Sequence, residues 1–205
     1  MILHNTAALL IAGLRQQYPD VPDCPPETRP QMLIYQLMAI YGLATQYNLQ
    51  GAAILEIGTG FGASTFMLSK AAPLATIVSL SASAAEAEIA FKTLQTAGCV
   101  NVHVAVQMSW DRLAQYTGPE LDMVFVDGDH LCISRDMPWW NWLKVGGLMC
   151  WHDYSPRACP PVLAAVDAWA EKLGRPLDVL VMDDVGLGFA GIYRREGETW
   201  QTIAL

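Results

Sequence analysis

The sequence has little positive charge. Among its 205 residues, 12 lysines and arginines stand against 20 aspartates and glutamates, which gives a formal net charge of −8. A protein that binds a nucleic-acid backbone or an anionic membrane surface needs a basic face. We therefore predict neither as a partner and expect a small-molecule substrate, with another protein as the alternative ligand. Whether the chain forms a homodimer stays open.

The sequence also lacks paired cysteines. The five cysteines are scattered along the chain and form no C-x-x-C pair (Cys24, Cys99, Cys132, Cys150 and Cys159). This spacing predicts neither a disulfide framework nor a structural zinc site. We interpret the cysteines as free, largely buried thiols in a reducing cytosol.

The apolar stretch at residues 1–14 is too short to span a bilayer. It is interrupted by His4, Asn5 and Thr6, and it lacks the basic region that begins a signal peptide. We therefore expect a cytoplasmic protein. With 53% hydrophobic and 16% charged residues, the chain can bury a substantial core, and its length suits a single domain.

The first 50 residues differ in pattern from the rest. Apolar residues at helical spacing predict one helix over 2–17 and a second over 31–47. Between them, residues 19–30 contain five prolines, which exclude a regular helix. Neither helix could bury a core alone, so we interpret residues 1–50 as a helical extension that caps the site.

From residue 51 onward, apolar strands alternate with helices, which predicts a mostly parallel sheet. The predicted strands are 52–57, 75–80, 100–106, 121–126, 146–151, 177–182 and 188–194. The predicted helices are 63–71, 84–97, 109–116, 133–143 and 160–173. A tight turn before the last strand makes that strand antiparallel. We predict an α/β fold for residues 51–205, with a Rossmann-like, doubly wound, seven-stranded sheet.

A glycine-rich turn follows the first predicted strand. Its sequence, Glu56-Ile-Gly-Thr-Gly-Phe-Gly62, places three glycines two residues apart between a strand and a helix. Glycines at such a turn let the backbone bend sharply and let a ligand approach the main chain. The spacing departs from the dinucleotide pattern G-x-G-x-x-G, and the Gly-Lys-Ser/Thr ending of a P-loop is absent. The alternative is a tight turn that binds nothing.

The turn resembles motif I of the class I methyltransferases, which use S-adenosylmethionine. The resemblance covers residues 52–194 and implies that the turn faces the amino-acid portion of that cofactor. It implies that Glu56 fixes the turn or reaches the cofactor's amino group through solvent. The cofactor contacts that it implies here are Gly58, Thr59, Gly60, Gly62 and Ser64.

The next predicted strand lacks the acidic residue that commonly holds ribose hydroxyls about 20 residues after such a turn. The strand ends Ser79-Leu-Ser81-Ala-Ser83, and Glu86 comes only later. Ser81 or Ser83 could accept one weaker hydrogen bond. Three options follow: weaker cofactor affinity, a ribose held by another group, or a degenerate site.

The resemblance also implies that the end of the third predicted strand flanks the adenine. Ser109 and Trp110 are then candidate cofactor contacts. The alternative is a helix whose N-cap is Ser109, followed by a tryptophan in the core. For Trp139, Trp140 and Trp142 we favour packing of a helix on the sheet over a substrate platform.

Polar residues end two predicted strands that neighbour each other. The fourth strand leads into Asp127, Asp129 and His130, and the fifth into His152 and Asp153. Burying such groups is costly unless solvent, a metal or a substrate meets them. These residues are therefore candidates for catalysis.

The two motifs at these strand ends are Val126-Asp-Gly-Asp-His130 and His152-Asp-Tyr154. They resemble those of a methyltransferase branch that includes sugar and natural-product O-methyltransferases, several of which use a divalent metal. The resemblance implies Asp127, His152 and Asp153 as ligands of Mg²⁺ or Mn²⁺, with Asp127 also beside the cofactor. His152 suits Mn²⁺ or Fe²⁺ at least as well as Mg²⁺. For proton removal we consider Asp127 or His152, and a metal-free site with His130 or His152 as the base stays open.

The leading hypothesis is an S-adenosylmethionine-dependent O-methyltransferase that acts on a small hydroxylated substrate. The alternative is a cofactor-binding subunit that has lost catalysis, which the serine-rich tip of the second predicted strand favours. An NAD-dependent oxidoreductase is disfavoured by the glycine spacing and by the missing ribose acceptor.

Overall fold

The computed structural model describes residues 1–200, which form an α/β sandwich around one sheet. The strands are β1 (Ile2–His4), β2 (Ala53–Ile57), β3 (Thr76–Ser81), β4 (Val102–Val106), β5 (Leu121–Val126), β6 (Leu143–Trp151), β7 (Val179–Met182) and β8 (Gly188–Tyr193). The α-helices are α1 (Ala7–Gln17), α2 (Ile34–Ala44), α3 (Ala63–Ala71), α4 (Ala84–Thr96), α5 (Ser109–Ala114), α6 (Ile133–Asp136) and α7 (Pro160–Lys172). Short 3-10 helices cover Pro26–Thr28, Thr45–Tyr47 and Met137–Trp142. Residues 201–205 of the predicted domain 51–205 lie outside the described residues.

The sheet has the order β1-β7-β8-β6-β5-β2-β3-β4. All neighbouring strands are parallel except β8, which is antiparallel to both β6 and β7. The predicted α/β class, the mostly parallel sheet and the antiparallel last strand are thereby confirmed. Strand order reverses between β2 and β5, so the carboxyl ends of β2, β5 and β6 lie side by side at the position where open α/β sheets bind ligands.

The sheet has eight strands among the described residues, and the prediction of seven was wrong. Residues 2–4, which we predicted to begin a helix, form β1 and pair in parallel with β7. The helix starts only after Thr6, whose side chain caps it by accepting from the amide of Leu9 at 3.5 Å. The pairing gives the edge of β7 a backbone partner, a tertiary effect that helical spacing does not reveal.

Two other predicted helices are shorter by six residues or more in the structure. The helix predicted over 31–47 is α-helical only at Ile34–Ala44, and the helix predicted over 133–143 is α-helical only at Ile133–Asp136. In the second case Pro138 falls near the start of the following 3-10 turn, and proline cannot donate a backbone hydrogen bond.

A separate hydrophobic cluster lies on each face of the sheet. Helices α1, α2 and α3 pack on one face, and α2 is buried along nearly its whole length. On the other face the core contains four fully buried tryptophans (Trp139, Trp140, Trp151 and Trp169). The core role predicted for Trp139 and Trp140 is therefore confirmed. Within residues 1–200, no helix is both long and apolar enough to cross a membrane.

Candidate active site

The glycine turn, residues 58–62, connects β2 to α3 at the carboxyl edge of the sheet. Gly58, Gly60 and Gly62 have φ angles of 102°, 49° and 93°, a region that favours glycine. At Gly58 a Cβ atom would lie 1.9 Å from the backbone oxygen of Asp127. At Gly60 a Cβ would meet nothing within 4 Å. The first glycine is thus needed for close packing of β2 against the end of β5, whereas the second leaves open space above the backbone.

Glu56 lies beneath this turn with no exposed surface. Its carboxylate accepts hydrogen bonds from the hydroxyls of Ser64 and Ser79, each at 2.5 Å, and from the hydroxyl of Thr65. Thr59 is tied to the same network through Ser79 at 2.7 Å. Glu56 therefore links the turn, the start of α3 and the middle of β3, and its oxygens have no access to solvent.

Burial raises the pKa of Glu56 to about 7 from an ordinary value of 4.5, although three hydroxyls donate to its carboxylate. The folded protein then keeps this proton while the unfolded chain releases it, so stability falls as pH rises from about 5 to about 7. Glu56→Gln, which cannot ionise, avoids this loss. As pH rises from 5 to 8, the native sequence should therefore lose about 3 kcal/mol of its free energy of unfolding relative to Glu56→Gln.

Urea unfolding at the two pH values measures this difference. Glu120→Gln, at an exposed glutamate, is the control and should show almost none of it. A Glu56→Gln effect that is the same at both pH values would contradict the buried, protonated carboxyl.

Four side chains form what we call the Asp–His cluster: Asp127, His130, His152 and Asp153. The Nδ1 of His152 donates to Asp127 Oδ1 at 2.8 Å and lies 3.2 Å from Asp153 Oδ2. The Nε2 of His130 donates to the same Oδ2 at 2.9 Å. The structure therefore brings together four of the five residues that the sequence proposed at the ends of two strands, whereas the fifth, Asp129, is exposed and lies outside the cluster.

These carboxylates favour the charged form of both histidines. Burial alone would lower the pKa of His152, but the hydrogen bonds with Asp127 and Asp153 raise it to about 10. The hydrogen bond with Asp153 likewise raises the pKa of His130. Burial opposes ionisation of Asp153, yet the two histidines hold its pKa well below the usual range. His152 is therefore not a ready proton acceptor in this arrangement.

The cluster has further partners. The Nε2 of His152 contacts Gln36 Oε1 at 3.3 Å, and the Sγ of Cys159 lies 3.1 Å from Nδ1 of His130. Gln36 belongs to α2, and its oxygen also accepts from the backbone amide of Leu33 at 2.8 Å. Sequence reasoning missed Gln36, because its contact with His152 joins residues 116 positions apart in the chain.

A cavity of about 230 Å³ separates the glycine turn from the Asp–His cluster. Its walls include Gly58, Thr59, Gly60, Phe61 and Ser64 on one side, and Asp127, His130, His152 and Asp153 on the other. The third wall is the segment between α1 and α2, through Thr28, Arg29, Gln31 and Met32. Residues of the N-terminal extension thus line the cavity, although the sequence indicated none of these four residues.

The remaining predicted contacts lie elsewhere. Ser81 donates to the backbone oxygen of Ser83 at 3.0 Å, so its hydroxyl serves the local turn. Ser109 is buried and donates to Asp136, whose pKa burial raises to about 6. The predicted alternative of Ser109 as an N-cap is wrong, because Met108 occupies that position. Trp110 is half-buried, with the guanidinium of Arg135 4.8 Å from its ring centre.

Glu56 and Gly62 also lie outside the cavity wall. A Cβ at Gly62 would lie 3.3 Å from that of Ala90 on α4, so this glycine allows helix packing. The predicted cofactor contacts that do line the cavity are Gly58, Thr59, Gly60, Ser64 and Asp127.

Comparison with known proteins agrees with this geometry. Residues 55–154 match the family described as a methyltransferase domain. The fold is similar to that of cofactor-bound Rv0187 from MTB, with 25% identity, a TM-score of 0.68, and coverage of 93% of this chain and 89% of that one. No match was found among curated proteins.

Two O-methyltransferase structures also share the fold. TomG from Streptomyces achromogenes, solved with S-adenosylmethionine, is 22% identical with a TM-score of 0.61, covering 95% of this chain and 92% of that one. An O-methyltransferase from Bacillus cereus, solved with S-adenosylhomocysteine, is 17% identical with a TM-score of 0.62, covering 92% and 90%.

Proposed function

Because the chain belongs to the class I S-adenosylmethionine-dependent methyltransferases, we propose that it methylates a hydroxyl oxygen of a small molecule with help from a divalent metal. One observation carries the proposal. The glycine turn and the Asp–His cluster face each other across a single cavity of about 230 Å³. A donor held at the turn and an acceptor held at the cluster would therefore meet within that space.

The donor set of the cluster fits a divalent cation. Asp127, His152 and Asp153 each offer one ligand atom, and these atoms lie within 4.8 Å of one another. Adjacent ligands of an octahedral ion, each about 2.1 Å from it, are about 3 Å apart. The spacings of 2.8 and 3.2 Å from His152 Nδ1 to the two carboxylates match this value. A bound metal would take the place of the proton that these groups now share.

The metal, when bound, would supply Lewis acidity that lowers the pKa of an acceptor hydroxyl. Asp127 would then accept the proton, since a weak base suffices for an acidified hydroxyl. Its Oδ2 makes no hydrogen bond to any of residues 1–200, which leaves it available at the cavity wall. Gln36 would hold His152 in place through the Nε2 of the ring. The backbone of the glycine turn would hold the donor in line.

Removing a cluster carboxylate should weaken metal binding. We expect Asp153→Asn to lower the affinity for Mn²⁺ at least about 10-fold, because replacing even an outer-shell partner costs that much. Titration of free Mn²⁺ followed by electron paramagnetic resonance measures the affinity. Asp129→Asn, at an exposed carboxylate outside the cluster, is the matched control. Equal Mn²⁺ affinity in all three proteins would contradict the assigned ligands.

A turnover assay tests the proposal. The protein is incubated with S-adenosylmethionine, Mn²⁺ and a set of catechols, sugars and hydroxylated aromatic acids, and S-adenosylhomocysteine is measured by mass spectrometry. We expect product only with an acceptor, and chelation by EDTA should remove it. Acceptor-dependent turnover that EDTA leaves unchanged would contradict the metal while keeping the transferase.

A second candidate function is a cofactor-binding subunit without catalysis. The observation that favours it is at the tip of β3, where Ser81 stands instead of a carboxylate. The hydroxyl of Ser81 donates to the backbone oxygen of Ser83. This candidate predicts binding of S-adenosylhomocysteine without turnover on any acceptor. The cluster argues against it, because burying His152 between two carboxylates is costly without a use for them.

A further inference from the structure

Arg29 has an unusual position at the cavity. It is the sole lysine or arginine among the residues that line the cavity. Within residues 1–200 its guanidinium forms no ion pair or hydrogen bond, and it lies over the ring of Phe61, whose centre is 5.2 Å away. Phe61 belongs to the glycine turn. A charged group with full hydrogen-bonding capacity is thus held beside the proposed donor site.

The backbone around Arg29 is fixed in an unfavourable conformation. Arg29 has a φ of 40°, in the left-handed region where residues other than glycine are rare. The turn that precedes it is closed by the hydroxyl of Thr28, which donates to the oxygen of Pro25 at 2.6 Å. The thiol of Cys24 donates to the backbone oxygen of Ala63 at 3.6 Å, which ties this segment to the start of α3. Arg29 therefore belongs to a segment anchored against the glycine turn.

The charges around the cavity are separated. Asp127 and Asp153 lie on the wall opposite the glycine turn, and the chain as a whole carries a net charge of −8. Those carboxylates are paired with His130 and His152, whereas Arg29 has no ionic partner among residues 1–200, so an anionic group in the cavity would be attracted to Arg29. S-adenosylmethionine has such a group, a carboxylate, at its methionine end.

We propose that Arg29 binds the carboxylate at the methionine end of S-adenosylmethionine. This inference rests on the function proposed above. Arginine presents a planar pair of donors that matches a carboxylate in bidentate geometry. The Phe61 ring restricts the guanidinium beforehand, so less freedom is lost on binding. Arg29 thus selects a cofactor that retains its carboxylate.

Decarboxylated S-adenosylmethionine tests this assignment, because it differs from the cofactor only by the carboxylate. For Arg29→Gln we expect the affinity for S-adenosylmethionine to fall about 10- to 100-fold, as for a lost hydrogen bond between charged groups. The affinity for the decarboxylated compound should stay unchanged or rise, since a nearby positive charge has been removed. Arg29→Lys keeps the charge without the paired donors and should show an intermediate loss. Calorimetric titration measures all of these affinities.

Arg15→Gln is the matched control, because Arg15 pairs with Asp23 on the surface and does not line this cavity. It should bind both compounds as the native sequence does. An equal loss of both compounds in Arg29→Gln would show a structural role and overturn the assignment. Unchanged affinity of Arg29→Gln for S-adenosylmethionine would also overturn the assignment, even if the KM for the acceptor rose. If the native protein bound no S-adenosylmethionine, the proposed function would fail and this inference with it.

Discussion

Asp127→Asn is expected to lower kcat for methyl transfer by at least about 10³-fold, as for loss of a general base that is also a metal ligand. The same substitution should leave the affinity for S-adenosylhomocysteine within about threefold of the native value. The reason lies in the geometry. Asp127 Oδ1 holds His152 at 2.8 Å and Oδ2 is free at the cavity wall, whereas the turn contributes backbone atoms to the donor side.

Single-turnover assays and calorimetry measure the two quantities on the same preparation. Asp129→Asn again serves as the control, because its exposed carboxylate lies two residues away and outside the cluster. It should retain nearly full activity. Collapse of S-adenosylhomocysteine affinity in Asp127→Asn would contradict the division between a donor side and an acceptor side.

Gly58→Ala is expected to lower the free energy of unfolding by at least about 4 kcal/mol, at the upper end for single substitutions. A Cβ at this position would lie 1.9 Å from the backbone oxygen of Asp127, and neither main chain can move without separating β2 from β5. The φ of 102° adds strain for any residue with a side chain.

Gly60→Ala is the matched control for that prediction. Its φ of 49° is left-handed too, but a Cβ there meets nothing within 4 Å. We expect a cost of about 1 to 2 kcal/mol from the backbone alone. Urea unfolding of both variants gives the comparison. Equal costs at the two positions would mean that the close approach at Gly58 does not matter for folding.

The parts of the site that the sequence predicted depend on local pattern. The glycine turn follows an apolar strand directly, and the Asp–His cluster follows two more such strands. Parallel strands align their carboxyl ends at one edge of a sheet. A strand assignment therefore suffices to place Asp127 near His152, and the structure has them 2.8 Å apart.

The parts that the sequence did not predict depend on contacts between distant segments. Gln36 meets His152 only because α2 packs beside the carboxyl edge, and Arg29 reaches the cavity only because the proline-rich segment folds over the turn. Strand β1 forms because β7 offers it an open edge. Beside this pairing, the amino group of Met1 donates to the backbone oxygen of Asp178, 177 residues further along the chain. None of these pairings leaves a periodic signal in the sequence.

The interpretation of Glu56 also needed the structure. Sequence alone left open whether it braces the turn or reaches the cofactor through solvent. In the structure its two oxygens accept from Ser64, Thr65 and Ser79, which leaves the backbone of the turn itself to face the cavity.

The central claim is that this cavity binds the methyl donor. Calorimetric titration with S-adenosylhomocysteine, with S-adenosylmethionine and NAD in parallel, tests it most directly. The account predicts one site per chain that binds both adenosyl compounds with micromolar affinity and gives no signal with NAD. Absence of binding by either adenosyl compound at millimolar concentration would contradict it.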